Sequence, residues 1–435
     1  MRSHPKVMVG CLLGTLAIGI SACGSDDDDS SSTPAAGSTP AGTTSTATSA
    51  GSGTANVYSS LPLQGASKDQ TNAMVDGIKL ALKEAGNKAG GVTVKYTSLD
   101  DSTAQAGNWD EQQVGANARK VAQDKKSVAL IGEFNSGATK VSLPILNEVG
   151  IAQISPANTY VGLTTDEPGS EKGEPAIYYP SQKRTYARIV PRDTVQGGAL
   201  VTQMKNDGCK SVAMANDKDT YGAGLTRVIG IKAKEQGLSI LSDTGIQPDA
   251  ANFRGFASKI KGEGADCFFF GGVTANGAIQ LYKDVNSAIP TAKLYGGDGV
   301  CESGFTNPSK DGIPAKVGKL FSCTVATLDL PSYPGGKAFI ESFNKEYNNP
   351  KPDPYAIYGY EAMKLVLDTI EAAGEEGTTR EGFLKALFET KDRDSVLGKY
   401  SIDENGDTTL TDYGLYKVGA SDGNPTYDST IKAAG

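Results

Sequence analysis

From residue 56 onward, short apolar runs alternate with stretches whose apolar positions recur every three or four residues. Residues 57–61 read as a strand. A helix follows over 71–85, where Met74, Ile78, Ala81 and Leu82 keep the spacing of one buried helix face. The pattern continues as a strand at 92–99, a helix at 112–123, a strand at 128–131, a helix at 139–148 and a strand at 151–154. A stretch rich in Gly, Pro and charge, 164–183, interrupts it. The alternation then resumes with strands near 188–190, 211–215, 239–244, 267–270 and 293–295. Helices fall between them near 197–206, 222–235, 253–261 and 277–284. Strands alternating with helices of this length predict parallel sheets with right-handed crossovers. Two such runs predict an α/β protein of two doubly wound, Rossmann-like lobes. The last third reads as helices at 336–347, 355–373 and 380–389, then short strands around 398–402 and 413–418. There is no repeat of solenoid period.

The N-terminus sets the expected compartment. Arg2 and Lys6 precede an apolar run, 7–20, that is too short to span a bilayer as a stable helix. It ends in Ile20-Ser21-Ala22-Cys23, small residues before a cysteine, as at a signal-peptide cleavage site. The order aliphatic, small, small, Cys resembles a bacterial lipobox. That resemblance implies cleavage before Cys23, which would carry the lipid and anchor the chain to the bacterial cell membrane. Residues 24–55 are Ser, Thr, Ala, Gly and Pro with one acidic run, Asp26 to Asp29. Such a segment buries no core and is expected to be a disordered tether with a reach of roughly 30 Å.

Composition removes several function classes. The net charge is −8, and without Arg2 and Lys6 there remain 40 basic and 50 acidic residues. Lys and Arg are scattered, which argues against a nucleic-acid partner. The one histidine is His4, inside the expected signal peptide. A mature chain without histidine has no Ser-His or Cys-His nucleophile and no His-ligated metal. No catalytic residue, metal site or cofactor is expected. Beyond Cys23 the cysteines are Cys209, Cys267, Cys301 and Cys323, with no CxxC among them. An even count in an exported chain favours disulfides. Of the three pairings, Cys209–Cys267 with Cys301–Cys323 is preferred, because Cys209 and Cys267 each precede an apolar run and suit the starts of neighbouring strands.

Ligands of open parallel sheets sit beyond the carboxyl ends of the strands, where helix starts attract anions. The loops at 62–65, 132–139, 155–159, 216–222, 271–276 and 296–300 are therefore the candidate site. Gly222 and Gly224 open a helix but lack the third glycine of a dinucleotide fingerprint. Residues 403–407, DENGD, have part of a calcium loop without its acidic twelfth ligand and read as a solvated turn. Asp100 and Asp101 read as capping or surface groups. Trp109, Tyr355, Tyr358 and Tyr360 read as packing residues.

At these loops a family resemblance appears. VALIGEFNSGATKVSLPILNEVGIAQISPANT resembles the extracellular solute-binding proteins of branched-chain amino acid uptake, the leucine/isoleucine/valine-binding type. AMANDKDTYGAGL, CFFFGGVTANGA, LYGGDGV, YAIYGYEAMKLVLDTIEAAG and YSIDENGD continue it in order over nearly all of 55–420. The resemblance implies two lobes joined by three crossings, the type I periplasmic binding protein fold. The expected organisation is a lipoprotein signal peptide at 1–22 and a tether at 23–55. Lobe 1 follows at 56–188 and lobe 2 at 189–321. A helical return to lobe 1 occupies 322–396, return strands to lobe 2 occupy 397–420, and a tail occupies 421–435.

The same resemblance implies site residues. Ser136 matches a serine that holds the ligand carboxylate. Ala157 and Thr159, with Asn158 between them, match the clamp on carboxylate and ammonium. Tyr221 matches an aromatic residue that closes from the second lobe, and Phe134 an apolar wall. Where the family carries an acid for the ammonium, this chain has Asn276, which cannot supply that charge. Asp298 in the neighbouring loop is the substitute; otherwise an amide, urea-like compound or small carboxylate becomes the ligand. The implied function is a non-enzymatic, monomeric, lipid-anchored binding protein. It would capture a small polar, amino-acid-like molecule by hinge closure and deliver it to an ABC permease. The rival is a ligand-sensing lipoprotein of the same fold that feeds a signalling receptor.

Overall fold

The computed structural model describes residues 52–432. The signal segment, Cys23 and most of the tether lie outside the described residues. Two sheets organise the chain. The first has six strands in the order Lys88–Ala89, Val92–Asp100, Thr54–Leu61, Ser127–Gly132, Ala152–Ser155 and Tyr186–Arg188. All its pairs are parallel except the one at Lys88–Ala89. The second has seven, in the order Ser239–Gly245, Ser211–Asn216, Cys267–Gly271, Lys293–Gly296, Phe321–Val325, Tyr413–Val418 and Pro425–Ile431. Its first five strands are parallel and the last two pairings antiparallel.

The sequence explains the layers. Ser127–Gly132 and Cys267–Gly271 are buried at every position, as strands of a parallel sheet covered on both faces require. Helix Lys68–Glu84 buries Met74, Ile78 and Ala81 on its expected stripe. It crosses helix Ala356–Ala373, whose Ile357, Val366 and Ile370 belong to the same core as the first sheet. The crossing is close because Gly77 and Gly359 face it. A Cβ on either would overlap a carbonyl oxygen of the other helix, Ala356 and Met74 respectively.

The chain passes between the sheets three times: after Tyr186–Arg188, after Phe321–Val325 and before Tyr413–Val418. Several boundaries differ from the sequence reading. The strand before the first crossing is Tyr186–Arg188, not 188–190, and the helix beyond it is Asp193–Asn206, one turn earlier than expected. Phe321–Val325 stays in the second sheet, so the return to the first lobe follows Val325. Gly398–Tyr400 pairs with Arg393–Ser395 in a separate hairpin. Leu397 and Tyr400 pack into the first-lobe core, so re-entry into the second sheet waits until Tyr413. The expected tail contains Pro425–Ile431, the antiparallel edge of that sheet. Its positions alternate half-buried and exposed. A strand covered on one side needs few apolar residues, and the polar composition concealed it.

Residues 164–183 fold around a buried glutamate. Glu174 accepts hydrogen bonds from the Tyr160 hydroxyl at 2.6 Å, from the Tyr178 hydroxyl and from the Glu171 amide at 2.7 Å. Cys209 and Cys267 have Cα atoms 5.8 Å apart, and Cys301 and Cys323 5.6 Å, each pair at disulfide distance. Among the described residues no helix is long and apolar enough to cross a membrane.

Candidate ligand-binding site

The strand Ser127–Gly132 runs through Glu133, Phe134 and Asn135 into the helix Ser136–Glu148. Asn135 at the N-cap makes no side-chain cap bond. The amides of the first turn therefore lack the usual internal acceptor, and with the helix dipole they favour an anion. Ser136 opens this helix and is 3% exposed. Phe134 meets the ring of Tyr355 edge-on at 5.5 Å.

The next loop is fixed to this one from below. The Ser155 hydroxyl donates to the Glu133 carbonyl at 2.8 Å and accepts from the amides of Ala157 (3.2 Å) and Asn158 (2.8 Å). Asn158 Nδ2 donates to the Phe134 carbonyl at 2.8 Å, while its Oδ1 accepts from the hydroxyls of Thr139 and Tyr186. Each polar atom of Asn158 thus has a first-lobe partner, the carbonyl included, through Arg188 at 3.2 Å. Asn158 aligns the two loops. Thr159 differs: its hydroxyl is buried and has no first-lobe partner, but meets the Asp193 carboxyl.

The second lobe brings acids to Thr159. The Asp193 amide donates to the Thr159 carbonyl at 2.8 Å. The Asp193 side chain is 0% exposed, set against the Thr159 hydroxyl, whose hydrogen bond favours its ionised form, and within the field of Asp298, which opposes it. One turn along the same helix, Gln196 Nε2 donates to Asp298 Oδ1 at 2.8 Å and to Thr324 Oγ1 at 3.1 Å. The Tyr221 hydroxyl donates to the same Asp298 oxygen at 2.6 Å. Burial, and then the charge of Asp298, push the Asp193 carboxyl up to about 8. Burial also raises Asp298, against the pull of Tyr221 and Gln196. Arg188 is the neighbouring cation, but its Nε is engaged by Asp407 at 2.6 Å. Two acids thus lie together beside the Thr159 loop. Asp193 and Gln196 escaped the sequence reading, although Pro191 two residues ahead of an acid is a helix-start signal.

The other expected residues are placed as follows. Tyr221 lies in the first turn of helix Thr220–Gln236, its ring against Gly297 and Gly299, where a Cβ would collide with it. Asn276 does not join the acid group; its Nδ2 donates to Asp217 Oδ2 at 2.8 Å. Gly222 and Gly224 are explained by packing, against the Gly271 carbonyl and the Tyr160 ring. Trp109 does more than pack within a lobe: its Nε1 donates across the cleft to Asp219 Oδ2 at 3.3 Å. The DENGD turn is not solvated at its end, because Asp407 is 4% exposed and paired with Arg188 and Arg192, each at 2.6 Å. Asp101 is neither cap nor surface; it is 0% exposed, and burial and the charge of buried Glu133 raise its carboxyl.

Two hinged α/β lobes with their free polar groups converging at the cleft define a binding protein of the closing-cleft class. The chain belongs to the periplasmic binding protein family, whose sequence profile matches residues 59–424. Its relatives include an amino acid binding protein of Pseudomonas aeruginosa, 25% identical over 76% of this chain and 81% of that one. The Leu/Ile/Val-binding protein BraC3 of Rhizobium johnstonii is 26% identical over 82% of this chain and 89% of its own length. Among solved structures, the leucine binding protein LivK of Thermotoga maritima superimposes with a TM-score of 0.71 at 21% identity, covering 87% of this chain and 98% of that one. A solute binding protein of an ABC transporter from R. palustris, in complex with benzoate, gives 0.68 at 20% identity, covering 87% and 97%. The fold is that of the type I periplasmic binding proteins, and the chain is a solute-binding component rather than an enzyme.

Proposed function

We propose that this protein captures an α-amino acid in the cleft and presents it to an ABC permease, tethered to the membrane through a lipid on Cys23. The observation that carries the reading is Asp193, a wholly buried acid whose carboxyl meets the Thr159 hydroxyl but is held by no cation among the described residues, in the field of Asp298. A buried acid without a counter-charge is costly, and a ligand ammonium supplies the missing charge and donors. The ligand carboxylate is assigned to the first-turn amides and hydroxyl at Ser136, with the Ala157–Thr159 loop beside it. Phe134 forms the wall and Tyr221 closes from the second lobe. Asp298 takes part in the ammonium site in place of Asn276, which is assigned to holding Asp217. Benzoates bound by fold relatives carry a carboxylate but no cation. Such a ligand brings no cation to Asp193, which favours a zwitterion.

Capture proceeds by hinge closure. The ligand shifts an open–closed equilibrium because the closed form alone contacts it from both lobes. The closed form docks on the permease. Thermal unfolding against amino acids, amides, ureas and small carboxylates tests the reading. A ligand present at about 100 times its dissociation constant stabilises the folded state by about 2.7 kcal/mol. A shift with amino acids and none with the other classes is expected; shifts confined to compounds lacking an α-ammonium would overturn the assignment.

A further inference from the structure

Tyr355 has two faces in use. One side meets Phe134 in the cleft. The other walls a cavity of about 450 Å³ that residues of both lobes line: Asp69 and Gln70 from the first, Glu302 and Lys310 from the second, and Asp353 beside Tyr355 itself. A space of this size admits the end of a side chain together with water.

Its lining is mixed, with three acids, Asp69, Glu302 and Asp353, against two lysines, Lys310 and Lys351. Glu302 is 4% exposed, and its Oε1 has no hydrogen-bond partner. Asp353 has one bond, from the Tyr355 amide at 2.9 Å. Lys310 is drawn off by Asp69 at 2.7 Å and by the Ser303 hydroxyl at 2.8 Å. Lys351, the other cation on the lining, is exposed. Two carboxylates therefore line a half-open space between the lobes with no cation among the described residues bonded to them. Burying an unpaired carboxylate is unfavourable, and a cation entering the cavity relieves it.

We propose that this cavity receives the positively charged end of the captured amino acid, an ammonium or guanidinium set against Glu302 and Asp353. The proposal rests on amino-acid capture in the adjoining cleft and names the side-chain class. Tyr355 is the shared wall, so a long side chain passes it while the backbone groups stay at Ser136, Thr159 and Asp193. The groups facing Glu302 are the Thr274 hydroxyl, Asp353, Asp69 and Lys310. Burial pushes Glu302 up to about 7, and the acids add to the rise against Thr274 and Lys310. An arriving cation favours the ionised form, so binding releases a proton near neutral pH.

The test is titration calorimetry of the full-length protein with L-arginine, L-lysine and L-leucine, in the wild type and in Glu302→Gln and Asp353→Asn. At pH 8 arginine or lysine should bind at least about tenfold tighter than leucine. Glu302→Gln should remove most of that preference while leaving leucine within about twofold. Its loss should also flatten the rise of arginine affinity, relative to leucine, between pH 6 and pH 8. Asp353→Asn should lower the same preference by an independent change. Leucine bound as tightly as arginine and lysine in the wild type, or both variants weakening all three alike, overturns the proposal and leaves amino-acid capture standing. Silence from all three removes amino-acid capture and this proposal together.

Discussion

Arg188 and Asp407 form a buried ion pair, Nε to Oδ1 at 2.6 Å, that joins the first crossing between the lobes to the third. The same guanidinium reaches into the binding loop: Nη1 donates to the carbonyls of Asn158 at 3.2 Å and Tyr160 at 2.9 Å, on either side of Thr159. The hinge and the ligand clamp thus share one side chain. Asp407 also holds Arg192 at 2.6 Å, and the Tyr413 hydroxyl donates to the Pro191 carbonyl at 2.7 Å. Asp407→Asn leaves the buried Arg188 without its counter-charge and Arg192 with Glu167 alone. A loss of roughly 3–5 kcal/mol in unfolding free energy is expected, measured by urea denaturation. Stability within 1 kcal/mol or so of wild type would deny the pair its role.

Asp193→Asn should weaken amino-acid binding by about ten- to a hundredfold, the scale of one lost hydrogen bond to a charged group. In the wild type the acid sits near 8 when the cleft is empty and must ionise to meet the ammonium. Binding therefore releases a proton. Affinity should rise as pH climbs from 6 towards 8 and level off above. Calorimetry in buffers of different ionisation enthalpy detects the released proton, and Asp193→Asn should abolish that share of it.

Gly137 stands where the two lobes touch. A Cβ there would lie 2.5 Å from Asp219 Oδ1 and 2.6 Å from the Trp109 ring. Gly137→Ala should penalise closure by roughly 1–3 kcal/mol, the usual cost of an added methyl in packed surroundings. Ligand affinity should fall accordingly, and small-angle scattering should record a more open empty protein. Unchanged affinity would mean that the lobes close without that contact.

Asp101 and Glu133 are both wholly buried and face each other beneath the Phe134 loop. Burial holds both above the usual carboxylate range, Glu133 at about 7; the charge of Glu133 raises Asp101 further, while the hydrogen bond from protonated Asp101 favours ionised Glu133. The folded protein thus retains a proton that the unfolded chain releases above about pH 4. Stability falls as pH rises from there through 7. Asp101→Asn removes one acid from the pair. Relative to wild type, its melting temperature should be higher at pH 8 and the difference smaller at pH 5. A pH-independent difference would contradict the shared proton.

The architecture was legible where apolar residues carry the period. The buried strands at 128–131 and 267–270 and the stripe Met74, Ile78, Ala81 stand where the pattern puts them. Polar elements were not legible: Pro425–Ile431 pairs through its backbone and hides behind Thr, Asp and Ser. Asp193 was missed for a related reason. The sequence pattern starts this helix near 197, which leaves its first turn, with both Asp193 and Gln196, outside the expected element. Residue type also cannot tell where an amide's hydrogen bonds go. Asn158 and Asn276 look like ligand groups in the sequence, and in the fold they bind Phe134, Thr139 and Asp217.

The central claim is that Asp193 and Asp298 await an ammonium while the Ser136 helix start awaits a carboxylate. The most direct measurement is calorimetric titration of the tightest-binding amino acid beside its deaminated acid and its decarboxylated amine. Loss of either group should cost at least about a hundredfold in affinity, because each leaves buried polar groups unpaired. A deaminated acid, or benzoate, bound as tightly as the amino acid would contradict the account.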